Sequence, residues 1–274
     1  MEINRNNINE IINKANLKPD KDYGQNFLVE TSICERIVAA LEVENNERVL
    51  EIGPGLGSLT HYLAKEKGEV TAVDIDQRMI DFLTIVYKDE NNVKIVQNDI
   101  RKQDVSEYEK IIGNLPYNIT TETIQYLLLN ASKCKRMVFM IQNEAFNRFS
   151  DLKGKDYGPY SVLIHLLGTI KRLFTVRAGS FYPVPKCDSV VFSIDITNRE
   201  DYEVIKNTFL LTKTLFLNRR KTIANNMLNV INDKDIINKV LNDLNIKSTT
   251  RPEEISPEQF KNLYIYFSNN HLSK

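Results

Sequence analysis

Val49-Leu50-Glu51-Ile52-Gly53-Pro54-Gly55-Leu56-Gly57 is the stretch on which the reading of the fold turns. With Arg48 in front, the aliphatic run reads as a buried strand. It ends in three glycines spaced two apart, a turn in which backbone without Cβ atoms can approach a ligand closely. Residues 58–67 then carry a helical pattern. Strand, glycine turn and helix in that order open a parallel α/β sheet. A dinucleotide site would want the spacing GxGxxG, so that pyrophosphate meets the N–H groups of a helix start. Here the spacing is GxGxG, and Pro54 has no N–H to donate. The turn therefore favours a ligand without phosphates. S-adenosylmethionine, a nucleoside with a charged amino-acid tail, is the candidate.

Outward from this turn, residues 69–74, 93–97, 110–113 and 136–142 read as further strands. Residues 77–87 and 120–129 read as the helices between them, and 189–196 as a late strand. Upstream, Phe27, Leu28, Ile33, Ile37, Val38 and Leu41 recur at helical spacing, with Thr31 and Ser32 as candidate caps. The expected fold is α/β: a Rossmann-like, doubly wound and mostly parallel sheet. After residue 198 the pattern changes to helices at 202–217, 223–230, 235–244 and 257–267. Three regions follow: a flexible, Asn-rich arm at 1–20, the α/β domain at 21–198, and a small all-helical domain at 199–274.

Composition narrows the setting. Of 274 residues, 42% are hydrophobic and 26% charged, and no apolar run reaches the length of a membrane span. The start lacks the apolar core of a signal peptide, so a cytoplasmic protein is expected. Cys34, Cys134 and Cys187 show no metal-ligand spacing, and neither a metal nor a role for the isolated His61 and His165 is expected. The net charge of zero conceals segregation. Residues 42–109 hold 15 acids and 8 bases, whereas residues 133–186 hold 10 bases and 3 acids. Between positions 206 and 221, Lys206, Lys213, Arg219, Arg220 and Lys221 stand without a single acid. A basic half of this kind attracts phosphates.

Two acids and a tetrapeptide supply the chemistry. Asp74 ends the second strand, where a carboxylate can take both hydroxyls of a ribose. Asp99 ends the third, placed to accept from an adenine amino group. Asn114-Leu115-Pro116-Tyr117 ends the fourth, and suits alkylation of the exocyclic amine of a nucleobase. That amine is a poor nucleophile, because its lone pair is delocalised into the ring. The Asn114 amide oxygen and the Leu115 carbonyl, beside a proline that fixes the chain, can accept from both of its N–H groups. Tyr117 offers a stacking face.

With these residues in place, the chain resembles the ribosomal RNA adenine N6-dimethyltransferases. That superfamily holds the KsgA-type housekeeping enzymes of the small subunit and the Erm resistance methylases of the large subunit. The matching segments are Gly24-Gln25-Asn26-Phe27-Leu28, the glycine turn, Asn114 to Ile119, and Phe181-Tyr182-Pro183-Val184-Pro185-Lys186-Cys187-Asp188-Ser189. The resemblance implies that Asn26, Leu28, Gly53, Asp74, Asp99 and Asn114 hold S-adenosylmethionine. It implies that Asn114, Leu115, Pro116, Tyr117 and Phe181 form the catalytic group, with Tyr117 and Phe181 sandwiching the target adenine. The family often has Glu where Asp74 stands and an aliphatic residue where Cys187 stands.

Phe216-Leu217-Asn218-Arg219-Arg220-Lys221-Thr222 is similar to the KsgA-type signature, with Arg219, Arg220 and Lys221 as RNA contacts. The implied substrate is a pair of adjacent adenines in the 3′-terminal hairpin of 16S rRNA, each taking two methyl groups, in a precursor of the small (30S) subunit. A monomer is expected. Three rivals stay open: an Erm-type 23S rRNA enzyme, a DNA adenine methyltransferase, and a ribosome-assembly factor whose catalysis is secondary.

Overall fold

The structure, a computed structural model, describes residues 1–19, 24–199 and 201–272. It divides into two compact units, residues 1–144 with 171–195, and residues 145–170 with 196–274.

The first unit opens with α1 (Ile8–Lys14), β1 (Phe27–Leu28), α2 (Thr31–Ala39) and β2 (Arg48–Ile52). It continues through α3 (Thr60–Leu63), β3 (Glu69–Asp74), α4 (Gln77–Val86), β4 (Val93–Gln97), β5 (Lys110–Asn114), α5 (Thr120–Asn130) and β6 (Arg136–Gln142). β7 (Gly168–Val176), β8 (Phe181–Tyr182) and β9 (Ser189–Ile196) close it. Seven strands form one sheet in the order β4-β3-β2-β5-β6-β9-β7. β2 pairs in parallel with β3 on one side and β5 on the other, so it is an interior strand of the sheet, and all its residues but Arg48 are buried. β9 alone is antiparallel to β6, from Arg136 opposite Asp195 to Gln142 opposite Ser189. The connections run outward from β2 to β4, then return to β5. The strand order reverses between β2 and β5, which opens a crevice beyond their C-terminal ends.

Three expectations are corrected here, and one strand had no expectation. The start is no floppy arm: Ile3, Ile8, Ile12 and Leu17 are buried in a cluster with Phe27, Val29, Leu56 and Met79. A polar, Asn-rich stretch conceals a sparse apolar stripe that one helix suffices to bury. The helix expected over 27–41 starts at Thr31, because Phe27 and Leu28 are extended and pair antiparallel with Tyr182 and Phe181. The helix expected over 58–67 is a single turn, α3. β7 escaped the pattern because it alternates polar and half-buried positions and carries Lys171 and Arg172, as strands at a sheet edge do.

The second unit contains α6 (Asn147–Ser150), α7 (Pro159–Leu167), α8 (Tyr202–Leu215), α9 (Ile223–Met227), α10 (Lys234–Asp243) and α11 (Pro257–Asn269). Residues 145–170 belong to it, although sequence pattern had assigned them to the α/β domain. Aromatic packing explains the allegiance. Phe149 meets Tyr160, and Tyr160 meets Phe209 of α8, at ring separations of 6.0 and 5.8 Å. Tyr157 lies edge-on to Phe216, which packs on Phe260 of α11, and the Tyr157 hydroxyl donates to the Ile255 carbonyl at 2.7 Å. Such pairs hold beyond their buried area.

Candidate active site

A cavity of about 280 Å³ occupies the crevice, and its walls come from β1 and from the C-terminal ends of β2, β3, β4 and β5. Gly53, Gly55 and Gly57 hold φ of +64°, +56° and +89°, the left-handed region that glycine enters without a Cβ penalty. At Gly55 the requirement is also spatial, since a Cβ there would sit 3.0 Å from the Phe27 ring. The turn is cross-braced. Gly53 N–H donates to the Val73 carbonyl at 2.9 Å, and Gly57 N–H to the Pro54 carbonyl at 2.8 Å. The Ser58 hydroxyl donates to the Leu28 carbonyl at 2.7 Å, tying β1 to the turn.

The acids expected at strand ends both line the cavity. Asp74 accepts from Gly55 N–H at 3.3 Å and Asp76 N–H at 2.9 Å, so it shapes the turn as well as facing the cavity. Burial pushes its pKa up, and those backbone donors oppose the shift. Asp99 goes the other way: Arg101, joined to it by both side-chain and backbone N–H groups, holds its carboxyl below the usual range. Apolar walls flank these acids, from Ile100, which is buried, and Ile75, which is half exposed despite its size.

Glu51 is a functional candidate that sequence reasoning passed over. It lies within the run read as a buried strand, is 1% exposed and lines the cavity. The Thr60 hydroxyl donates to it at 2.7 Å. Burial, and then the nearby Asp74 charge, raise its pKa to about 8, with the Thr60 bond opposing. The acid inside the apolar run was the available signal, because an ionisable group rarely occupies such a place without a reason.

At the end of β5, the Asn114 amide NH2 donates to the Asn26 carbonyl at 3.1 Å. In that orientation the Oδ1 atom remains as an acceptor. Asn26 is itself held, through its own amide, by the Gly24 carbonyl at 3.1 Å. Leu115 N–H donates to Met140 of β6 at 3.0 Å, and the Thr120 hydroxyl to the Pro116 carbonyl at 2.9 Å. The tetrapeptide is thus fixed at both ends. Tyr117 lines the cavity half-buried, and desolvation raises its hydroxyl pKa.

The profile of the family described as ribosomal RNA adenine dimethylase matches residues 16–269. This chain belongs to the ribosomal RNA adenine dimethylase family. The ribosomal RNA small subunit methyltransferase A of Malacoplasma penetrans is 36% identical over 268 residues, covering 93% of this chain and 94% of that protein. Its counterpart in Mycoplasma mycoides subsp. mycoides is 34% identical over 266 residues, covering 92% of this chain and all of that protein. Among solved structures, a dimethyladenosine transferase from Plasmodium falciparum superposes with a TM-score of 0.79 at 24% identity, covering 89% of this chain and 98% of that one. The 23S rRNA methyltransferase ErmE superposes at 0.67 and 23% identity, covering 89% of this chain and all of that one. At these identities the two structures speak for the shared fold.

Membership of the dimethylase family makes this an S-adenosylmethionine-dependent rRNA methyltransferase. The cavity fits that cofactor. Glu51, Asp74 and Asp99 face it, while Arg101, the one cation among its described lining residues, is already paired with Asp99 and Glu122. Glu51, with its pKa raised to about 8, is neutral at pH 7, and Arg101 offsets Asp99. A glycine turn that includes a proline lacks the N–H donors a phosphate needs and suits a ligand without one.

The structure brings Asn26, Leu28, Gly53, Asp74, Asp99, Asn114, Leu115, Pro116 and Tyr117 to one cavity. Phe181 is not among the residues lining it: this ring is 2% exposed, on β8, within the core cluster that holds Leu28. Arg219, Arg220 and Lys221 belong to the second unit. There Arg219 donates to the Gly154 carbonyl at 3.0 Å and approaches Glu253 at 3.4 Å, whereas Arg220 and Lys221 are exposed. Among the described residues no metal-ligand cluster occurs, and no helix is long and apolar enough to cross a membrane.

Proposed function

We propose that this family member dimethylates N6 of two adjacent adenines in the 3′-terminal hairpin of 16S rRNA, within a precursor of the small ribosomal subunit. The observation that carries the reading is the held amide of Asn114, whose Oδ1 is kept as an acceptor in a residue lining the glycine-floored cavity. When bound, S-adenosylmethionine would supply a sulfonium methyl group whose carbon can bond to the target nitrogen as the carbon–sulfur bond breaks and S-adenosylhomocysteine leaves. Gly53 and Asp74 position the amino-acid and ribose parts of the cofactor, and Asp99 its adenine. Asn26 and Leu28 close the pocket.

Asn114 Oδ1 and the Leu115 carbonyl accept from the two N–H groups of the target amine, and Pro116 fixes the direction of the carbonyl. Two acceptors draw the lone pair out of conjugation and meet the positive charge that develops on nitrogen. The neutral amide needs no counter-ion, and the surplus proton passes to water. Tyr117 stacks on one face of the base. Phe181 joins it on the other face only if the β1–β8 pair moves, because its ring is buried.

A loop adenine is cheaper to extrude than a paired one, which favours a hairpin target. Arg220 and Lys221, exposed on the second unit, supply phosphate contacts, with Arg219 bracing their loop. The protein acts as a cytoplasmic monomer. Relatives named small subunit methyltransferase A, from several bacteria, support the small subunit over the large one.

The test is tritium transfer from labelled cofactor to small subunits and large subunits taken from cells lacking the enzyme. Label confined to the small subunit, in two neighbouring dimethyladenosines, is expected. Label in the large subunit would favour the resistance-type reading. Normal growth supported by an inactive Asn114→Ala variant that still binds immature subunits would favour the assembly reading.

A further inference from the structure

Arg101 lines the cofactor cavity and has no part in the proposed function. It grips the carboxylate of Asp99 in a fork, Nε to Oδ1 at 3.0 Å and Nη2 to Oδ2 at 2.7 Å. Its backbone N–H adds a third bond to Oδ1 at 3.0 Å. Its remaining arm, Nη1, reaches Glu122 of α5 at 3.1 Å. The guanidinium therefore links the loop after β4 to the helix that follows the Asn114–Tyr117 segment.

An ionised carboxylate offers roughly four acceptor positions, two on each oxygen. Three are occupied here. Both on Oδ1 are taken by Arg101, and one on Oδ2, which leaves a single acceptor on Oδ2. The fork also locks the carboxylate plane, since a bidentate arginine fixes geometry as well as charge. The same contacts hold the Asp99 carboxyl low, so at neutral pH it accepts and does not donate.

We propose that Arg101 is the positioning residue that makes this pocket selective for the 6-amino group of the cofactor's adenine, acting through Asp99. One fixed, acceptor-only oxygen would accept from an exocyclic amine and repel a 6-oxo group in the same place. The inference rests on the assignment of Asp99 to the cofactor's adenine. Without Arg101 the carboxylate turns about its side-chain bonds, and both purines are tolerated alike.

The measurement is calorimetric binding of two product analogues, S-adenosylhomocysteine and S-inosylhomocysteine, to the full-length wild type and to Arg101→Leu, Asp99→Ala and Glu122→Gln. The quantity read is the ratio of the two dissociation constants, which general loosening of the loop would leave unchanged. Wild type should prefer the adenosyl compound, and Arg101→Leu should lose about tenfold or more of that ratio, the worth of a hydrogen bond to a charged group. Arg101→Lys should restore only part, for want of the fork. Glu122→Gln should keep the ratio, because the fork to Asp99 survives.

An unchanged ratio in Arg101→Leu beside a collapsed ratio in Asp99→Ala would overturn the role of Arg101 and leave Asp99 in place. A ratio that survives Asp99→Ala, or is absent in the wild type, would overturn both. Equal weakening of both compounds by Arg101→Leu would reduce Arg101 to a structural support and overturn the proposal.

Discussion

Asn114 shows how a single neutral side chain can be made directional. Its NH2 donates to the Asn26 carbonyl, which leaves the oxygen as the acceptor of a residue that lines the cavity. Removing one preorganised acceptor of this kind typically lowers turnover by roughly 10²–10³-fold. Asn114→Ala should do so while leaving the melting temperature close to wild type, since the residue is only half-buried. Methyl transfer to small subunits, beside a thermal melt, checks both halves.

Glu51 makes a different prediction. Its folded pKa of about 8 lies above the ordinary carboxylate value of 4.5, so between those pH values the folded chain keeps a proton that the unfolded chain has released. Stability in this window falls as pH rises, by up to about 1.4 kcal/mol per unit, and levels off above pH 8. Glu51→Gln carries no such penalty, so its advantage over wild type should grow from pH 5 to pH 8. Urea melts across that range without added cofactor provide the check, and parallel pH profiles would contradict the account. Asn26, Leu28 and Phe181 were named only through the family resemblance, whereas Asp74, Asp99 and Asn114 were legible as candidates because each stands at or just after a strand end. Glu51 and Arg101 were not, since one sits inside the apolar run and the other carries no motif.

Among the elements, the glycine turn is the most exacting. Gly55→Ala must hold a Cβ at φ +56° and within 3.0 Å of Phe27, a ring that belongs to the buried cluster around α1. The conformational part costs about 1–2 kcal/mol, and the displaced ring adds to it. The variant should melt lower and bind the cofactor at least about tenfold more weakly by calorimetry. Gly154→Ala is the control: φ is +79°, but nothing lies within 4 Å, so it should carry the conformational cost with no effect on cofactor binding.

The turn and the central strands were readable because buried parallel strands are continuous apolar runs. α1, β7 and the place of α7 were not. α1 buries few side chains from a polar stretch. β7 carries charge on a sheet edge. α7 owes its allegiance to aromatic partners distant in sequence, such as Tyr160 against Phe209.

At the scale of the molecule, charge segregation lets one chain with zero net charge serve two ligands of opposite sign. The acidic stretch supplies the glycine turn, Asp74 and Asp99 to the cavity, and on the proposed reading the basic stretches meet RNA. Arg220 and Lys221 are exposed and outside the cavity. Replacing both with Ala should therefore weaken binding to small subunits and flatten its salt dependence by about 0.7–0.9 per lost phosphate contact. Cofactor affinity should not change. Filter binding across a salt series, with calorimetry of the cofactor, would measure both.

The most direct test of the central claim is to map N6,N6-dimethyladenosine by mass spectrometry in ribosomal RNA from cells lacking this chain, before and after its return. The account predicts two neighbouring dimethyladenosines that vanish from the 3′-terminal hairpin of the small-subunit RNA and reappear with the wild type but not with Asn114→Ala. A hairpin that keeps both modifications without this chain, or modification restored by Asn114→Ala, would contradict it.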